Sequence, residues 1–136
     1  MNDLIKVHAG EEWINGWPIG GESLWAERIS PKRARIDNVP FFTARLALND
    51  IVEIDAEGEI VRLVKAGPFS HFVLVKADDI ELQRVLDAVH AFLPDAHCEG
   101  GFDTLLVVDT DAPDTLVSLA RLMKRQGLLR GWEQTR

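Results

Sequence analysis

The stretch "SHFVLVKADDIELQRVLDAVHAFLP", residues 70–94, changes its hydrophobic period part-way through, and that change decides how the chain is read. Residues 70–77 form an apolar run of strand length, whereas Leu82, Val85, Leu86, Val89 and Leu93 recur at the spacing of one helix face. Asp78 is the expected cap of that helix, with Glu81 three residues on, and Pro94 ends it. Downstream, "HCEGGF" and "TLLVVDT" read as a hairpin pair. "APDTLVSLARLMKRQG" then reads as a second helix, with Leu116, Leu119, Ala120 and Met123 inward and Gly127 at its C-cap. Its charges follow the helix dipole, with Asp111 and Asp114 at the positive start and Arg121, Lys124 and Arg125 near the negative end. A final "GWEQTR" supplies an edge strand. The resulting order, strand-helix-strand-strand-helix-strand, is that of a ferredoxin-like split βαβ module.

Upstream of Gly67-Pro68 the pattern differs. "LIKVH", "ESLWAERI" and "RARID" are short segments rich in β-branched and aromatic residues, set between turn signals such as "NGWPIGG" and "SPK". "DIVEID" and "EIVRLVK" follow on either side of Ala56-Glu57-Gly58 and read as a hairpin, the first strand half-exposed and the second buried on much of both faces. About five short strands in roughly 65 residues predict a small curled sheet or barrel. The expected fold class is therefore α+β. A β-rich, barrel-like module spans residues 1–68, a ferredoxin-like βαββα(β) module spans residues 69–136, and the two are expected to pack as one compact unit.

Apolar residues make up 46% and charged residues 27% of the 136, values that fit a globular domain and set aside disordered and fibrous classes. The one cysteine, Cys98, has no partner for an internal disulfide, and no charged-then-apolar leader is readable, so a reducing cytoplasm is the expected setting. No apolar run approaches the length of a membrane span. A net charge of −7 opposes general attraction to nucleic-acid phosphates and leaves a basic protein as the natural electrostatic partner.

The residues that could carry chemistry mostly have simpler roles. His90, His97 and Cys98 lack the paired spacing that wraps zinc, and read as a helix-surface imidazole and a buried thiol. Asp109, Asp111 and Asp114 resemble the opening of a calcium loop, but Asp114 stands where the turn glycine belongs and Ala120 where a bidentate Glu belongs, so helix capping is the expectation. "GWPIGG", residues 16–21, precedes a strand and not a helix, so it reads as a turn with Trp17 as a lid and not as a phosphate cradle. Glu53, Asp55, Glu57 and Glu59 cluster on one hairpin tip, where carboxylates are solvated. No nucleophile elbow or triad context surrounds the serines. Arg28, Lys32, Arg33, Arg35 and Arg45, interleaved with Phe41 and Phe42, have the composition of a single-strand nucleic-acid surface, but a chain this acidic supplies internal ion pairs for them. Asp37-Asn38 before Val39-Pro40 fits a turn, and Phe41 and Phe42, if adjacent on a strand, point to opposite sides.

"GWP", "ESLWAE", "RIDNVPFF" and "LALNDIVEID" together resemble the bacterial family catalogued as domain of unknown function 4265, from about Trp17 to Arg136. The matching positions are Glu22, Ser23, Leu24, Trp25, Ala26, Asp37, Asn38, Pro40, Phe41, Phe42 and Asp50, while Gly67-Pro68-Phe69-Ser70-His71 stands where the family often shows Gly-His-Ser. The resemblance implies a compact bacterial cytosolic protein and assigns no catalytic role. The expectation is a non-catalytic interaction module, such as an immunity protein that blocks a basic toxin, or a regulatory adaptor. The alternative is a module binding a small ligand or nucleotide in a groove between the halves. Trp25, Arg35, Asp37, Asn38, Phe41, Phe42 and His71 are the candidate ligand or partner contacts, with no catalytic, metal or cofactor residue among them.

Overall fold

Alternation of apolar and polar side chains along "LIKVHA", "SLWAE" and "RARI" gives each of these segments one face for a core and one for solvent, and antiparallel pairing collects the apolar faces. The computed structural model describes the backbone of residues 3–14, 17–41, 45–101 and 104–136, with side chains except those of 11–14, 17–20 and 101. The chain divides into two units, Met1–Pro68 and Phe69–Arg136. In the first, β1 (Leu4–Ile14), β2 (Trp17–Ser30), β3 (Arg33–Ile36), β4 (Ile51–Ile54) and β5 (Ile60–Lys65) form one antiparallel meander in chain order. Val7, Leu24, Ala26, Ala34, Ile36, Val52 and Ile54 share its inner face, where Leu46 joins them in the core.

Three expectations for this unit are corrected. The sheet is not a closed barrel: among the described residues β1 makes one isolated bridge to the turn before β5, His8↔Glu59, with the His8 N–H donating to the Gly58 carbonyl at 2.8 Å. Among the described residues β5 is an edge strand with no neighbour beyond β4 in its sheet, and Val61, Arg62 and Leu63 are exposed where burial on both faces was expected. Residues 17–20, expected as a turn, belong to β2, because the β1–β2 ladder runs from Leu4↔Glu27 to Ile14↔Trp17. β3 reaches only as far as Ala26, so among the described residues this end of β2 has one partner strand, and Pro18 is tolerated there as on an edge.

The connection from β3 to β4, residues 37–50, is long for two antiparallel neighbours, and its backbone groups need partners. Asp37 N–H donates to the Trp25 carbonyl at 2.8 Å, while Trp25 N–H donates to Asn38 Oδ1 at 2.7 Å. Phe41 N–H donates to Glu22 Oε2 at 3.1 Å. Phe41 sits half-buried at a bend and not on a strand, so strand alternation does not govern it, and Phe42 lies outside the described residues. Val39, Leu46, Ala47 and Leu48 are buried. The fully buried Asp50 carboxylate accepts the N–H groups of Ala47 at 2.9 Å and Gly67 at 2.8 Å.

In the second unit, β6 (Ser70–Lys76), α1 (Leu82–Phe92), β7 (His97–Gly101), β8 (Leu105–Thr110), α2 (Pro113–Arg125) and β9 (Leu129–Gln134) follow one another. The strands form an antiparallel sheet ordered β7-β8-β6-β9, and the expected last strand pairs with β6. Phe72, Leu74, Leu106 and Val108 pack against Val85 and Val89 of α1 and Leu116, Leu119 and Met123 of α2. Asp78 does not cap α1. The N-cap is Glu81, without a side-chain bond, and Asp78 instead meets Arg130 at 3.2 Å on the surface. At the start of α2 the N-cap is Ala112, whose N–H goes to Thr110 Oγ1 at 3.0 Å, so neither Asp111 nor Asp114 is the cap. α2 ends at Gly127, φ 79°, with Gly127 N–H on the Lys124 carbonyl (3.1 Å) and Leu128 N–H on the Met123 carbonyl (2.9 Å), the Schellman pattern.

A Cβ at Gly67 would lie 2.9 Å from the backbone carbon and oxygen of Asn49, itself at φ 68°, whereas one at Gly10 would meet nothing within 4 Å. Gly67→Ala therefore separates the two sides of the Asp50 anchor and destabilises the chain by about 2 kcal/mol in urea denaturation, while Gly10→Ala shifts stability by less than about 0.5 kcal/mol.

Candidate functional site

Register converts separate residues of the first unit into one row. Leu4 pairs with Glu27, Glu27 with Arg35, Arg35 with Ile51 and Ile51 with Lys65, so these five side chains cross all five strands on the outer face. A second row, Arg33, Glu53 and Arg62, runs beside it. Arg35 Nη1 approaches Glu27 Oε1 at 3.6 Å, and Arg62 Nη2 approaches Glu53 Oε1 at 3.4 Å. Partly exposed pairs such as these contribute under about 1 kcal/mol each, so their charges can exchange partners at little cost.

Glu27, Arg35, Asp37, Ile51 and Lys65 line a groove of ≈ 750 Å³, together with Asn49 and residues 66–68. Trp25 is two residues from Glu27 on the same face, 44% exposed, with the Lys6 ammonium 4.3 Å from its ring centroid. Of the residues expected from sequence, Arg35 and Asp37 therefore line the groove, and Trp25 shares its face. Asn38 has a different use: its carboxamide oxygen satisfies Trp25 N–H, which holds the chain entering the 37–50 segment. Phe41 is tied to Glu22 through its backbone. Glu27, Ile51 and Lys65 are not singled out by sequence, since only the register of three strand pairs places them in one row with Arg35.

His71 is in the other unit. It is fully buried in β6, opposite Asp109 of β8, and its Nδ1 is hydrogen-bonded to Asp109 Oδ1. Among the described residues its Nε2 has no hydrogen-bond partner. The main chain of His71 is engaged as well, accepting Thr135 N–H at 2.9 Å and donating to the Arg136 carbonyl at 3.1 Å. Asp109, expected among acids at a helix start, is a buried strand residue with His71 on one side and His97 as its partner in β7 on the other. Cys98, the neighbour of His97, is half-buried, and burial followed by the Asp109 charge pushes its thiol up to about 11. No group of three or more His, Cys, Asp or Glu side chains is placed to hold a metal among the described residues. No helix among them is long and apolar enough to cross a membrane.

The model of one protein family, described as a domain of unknown function (DUF4265), matches residues 22–133, which span both units. The chain belongs to this DUF4265 family. The DUF4265 chain is also similar to the crystal structure of a hypothetical protein from Neisseria gonorrhoeae, with a TM-score of 0.77 over 99% of this chain and 96% of that one. At 19% identity the likeness is one of fold. No curated protein matches the chain.

The raised thiol has a direct consequence. Cys98 stays protonated through neutral pH, so alkylation of the native chain by iodoacetamide is slow at pH 8 and its rate profile has a midpoint near 11, not at the ordinary 9.0. Sign follows from linkage: because the folded value is the higher one, Cys98 contributes stability below pH 9 that is lost as pH rises towards 11, and Cys98→Ser removes that slope.

Proposed function

We propose that this DUF4265 chain is a non-catalytic protein-interaction module of the immunity or regulatory type, with the outer face of its five-stranded sheet as the contact surface. The observation that carries the reading is the Glu27–Arg35–Ile51–Lys65 row beside a 44% exposed Trp25. Trp and Arg are the side chains that most often anchor protein interfaces, and here they surround an apolar residue with charges of both signs. The family-type polar residues Glu22, Asn38 and Asp50 already accept backbone N–H groups, which supports an architectural use for them. A net charge of −7 steers a basic partner over distance, and Glu27 and Asp37 are the acids its cations would meet on this face.

In the second unit, the strand order supports a ferredoxin-like module: β6 and β7, linked through α1, lie on either side of β8, and β9 flanks β6. Such a module is a scaffold for many functions and selects none of them. A free Cys98 with a weakly acidic thiol agrees with a reducing, cytoplasmic setting.

The size of the groove favours a second reading. At ≈ 750 Å³, with Arg35 and Lys65 flanking Ile51, it has the volume of a small-molecule site, and an anionic metabolite would fit its cations.

The two readings part in one experiment. Wild-type chain and Trp25→Glu/Arg35→Glu chain serve as baits at low salt in extracts of a bacterium that encodes the protein, and any captured protein is then titrated as purified material. The interaction reading expects a protein that binds wild type, binds the variant at least about tenfold more weakly, and dissociates as salt rises. Equal binding of wild type and variant overturns the assigned face. A screen in which no protein binds while an anionic metabolite raises Tm by several degrees replaces the interaction reading with the ligand reading.

A further inference from the structure

The second unit holds a separate groove of ≈ 850 Å³, lined by Ser118, Arg121, Lys124 and Arg125 of α2 and Trp132 of β9. Three cations and one indole thus line a single groove in a chain of net charge −7. Their side chains are exposed, and none makes an ion pair or hydrogen bond among the described residues. The helix dipole accounts for basic residues in the last turn, Lys124 and Arg125. It does not account for the half-buried Trp132 below them, which packs on Phe72 with ring centroids 6.3 Å apart.

The strand under this groove is an edge. Among the described residues β9 pairs with β6 and has no strand on its other side. Thr135 N–H donates to the His71 carbonyl, so by antiparallel alternation Trp132 and Gln134 turn their N–H and C=O groups away from β6, towards the open edge. Trp132 stands opposite the buried Leu74, on the helix side of the sheet, while the acidic side chain of Glu133 points to the other side. Backbone groups with no partner strand among the described residues therefore run alongside a cationic wall and an aromatic floor.

We propose that the groove between α2 and the free edge of β9 is a docking site for an extended acidic peptide segment of a protein partner, which adds to the sheet as a strand and sets its carboxylates among Arg121, Lys124 and Arg125. Charge complementarity selects acid, and the free strand edge selects peptide: backbone N–H and C=O groups pair with another main chain. A nucleic acid would meet the same cations but has no peptide N–H and C=O groups to pair with the strand edge. The site is in the second unit and does not depend on the outer face assigned to the first.

The probe is a fluorescein-labelled peptide of alternating Glu and Thr, about eight residues long to match a strand, titrated by anisotropy at low salt with the full chain. Binding in the micromolar range is expected, with amide shifts concentrated at 131–135 in an NMR titration. Arg121→Glu/Arg125→Glu weakens it at least tenfold, and Lys124→Glu alone weakens it less. These side chains are exposed, so unchanged denaturation curves accompany the loss; Trp25→Glu leaves peptide binding intact. N-methylation of one alternate set of peptide amides abolishes binding, and methylation of the other set is tolerated. Equal binding of both methylated peptides, unaltered affinity in the charge-reversed variants, or no binding at millimolar peptide overturns the proposal. Tighter binding of an oligothymidylate that shifts the same amides also overturns it, in favour of nucleic acid.

Discussion

The first unit depends on one buried carboxylate. Asp50 has no solvent exposure, and its two oxygens reach N–H groups on opposite sides, Ala47 within the 37–50 segment and Gly67 beyond β5. Burying a charge costs several kcal/mol, and hydrogen bonds to a charged acceptor return about 1.5–3 kcal/mol each, so the arrangement is stable only while the donors stay in place. Gly67 can stay because it lacks a Cβ, and Asn49 can stay because it accepts a left-handed backbone. Asn49 and Gly67 both line the outer-face groove, so the anchor that holds the core segment also fixes the groove's shape.

Around that anchor, the polar residues divide into two sets. Glu22, Asn38 and Asp50 satisfy backbone donors of a long connection that would otherwise leave them unpaired, and Asp109 holds His71 in the other sheet. These groups hold the fold in place. The second set is exposed: Arg35 and Lys65 on one sheet face, Arg121, Lys124 and Arg125 on one helix. A chain of net charge −7 thus gathers cations at two surfaces, where they are held in weak pairs or none.

Local signals were enough for some elements and not for others. The period of Leu82, Val85 and Val89 and the Gly127 stop were sufficient for α1 and the end of α2, because helix contacts are made within a few residues. The order of strands and helices after Pro68 followed from the same signals. Strand Trp17–Gly20 was not readable, since its turn-forming composition is overruled by a partner some residues earlier in β1. Closure of a barrel and burial of β5 likewise depend on which strands meet at the ends of the sheet. Arg35, Asp37 and Trp25 stood out by type, but their neighbours Glu27, Ile51 and Lys65 are joined to them only by register. Asp78 and Asp109 were misplaced for one reason: an acid near a helix start can cap it, pair across the sheet or pair on the surface, and spacing does not distinguish these.

The claim that a single carboxylate joins the 37–50 segment to the end of β5 is tested most directly by amide hydrogen exchange on the wild-type chain and Asp50→Ala. The account predicts that the Ala47 and Gly67 amides, protected in the wild type, exchange at least about a hundredfold faster in the variant, while Val7 and Leu24 in the β1–β2 ladder keep their protection. Unchanged protection at Ala47 and Gly67 in the variant would contradict it.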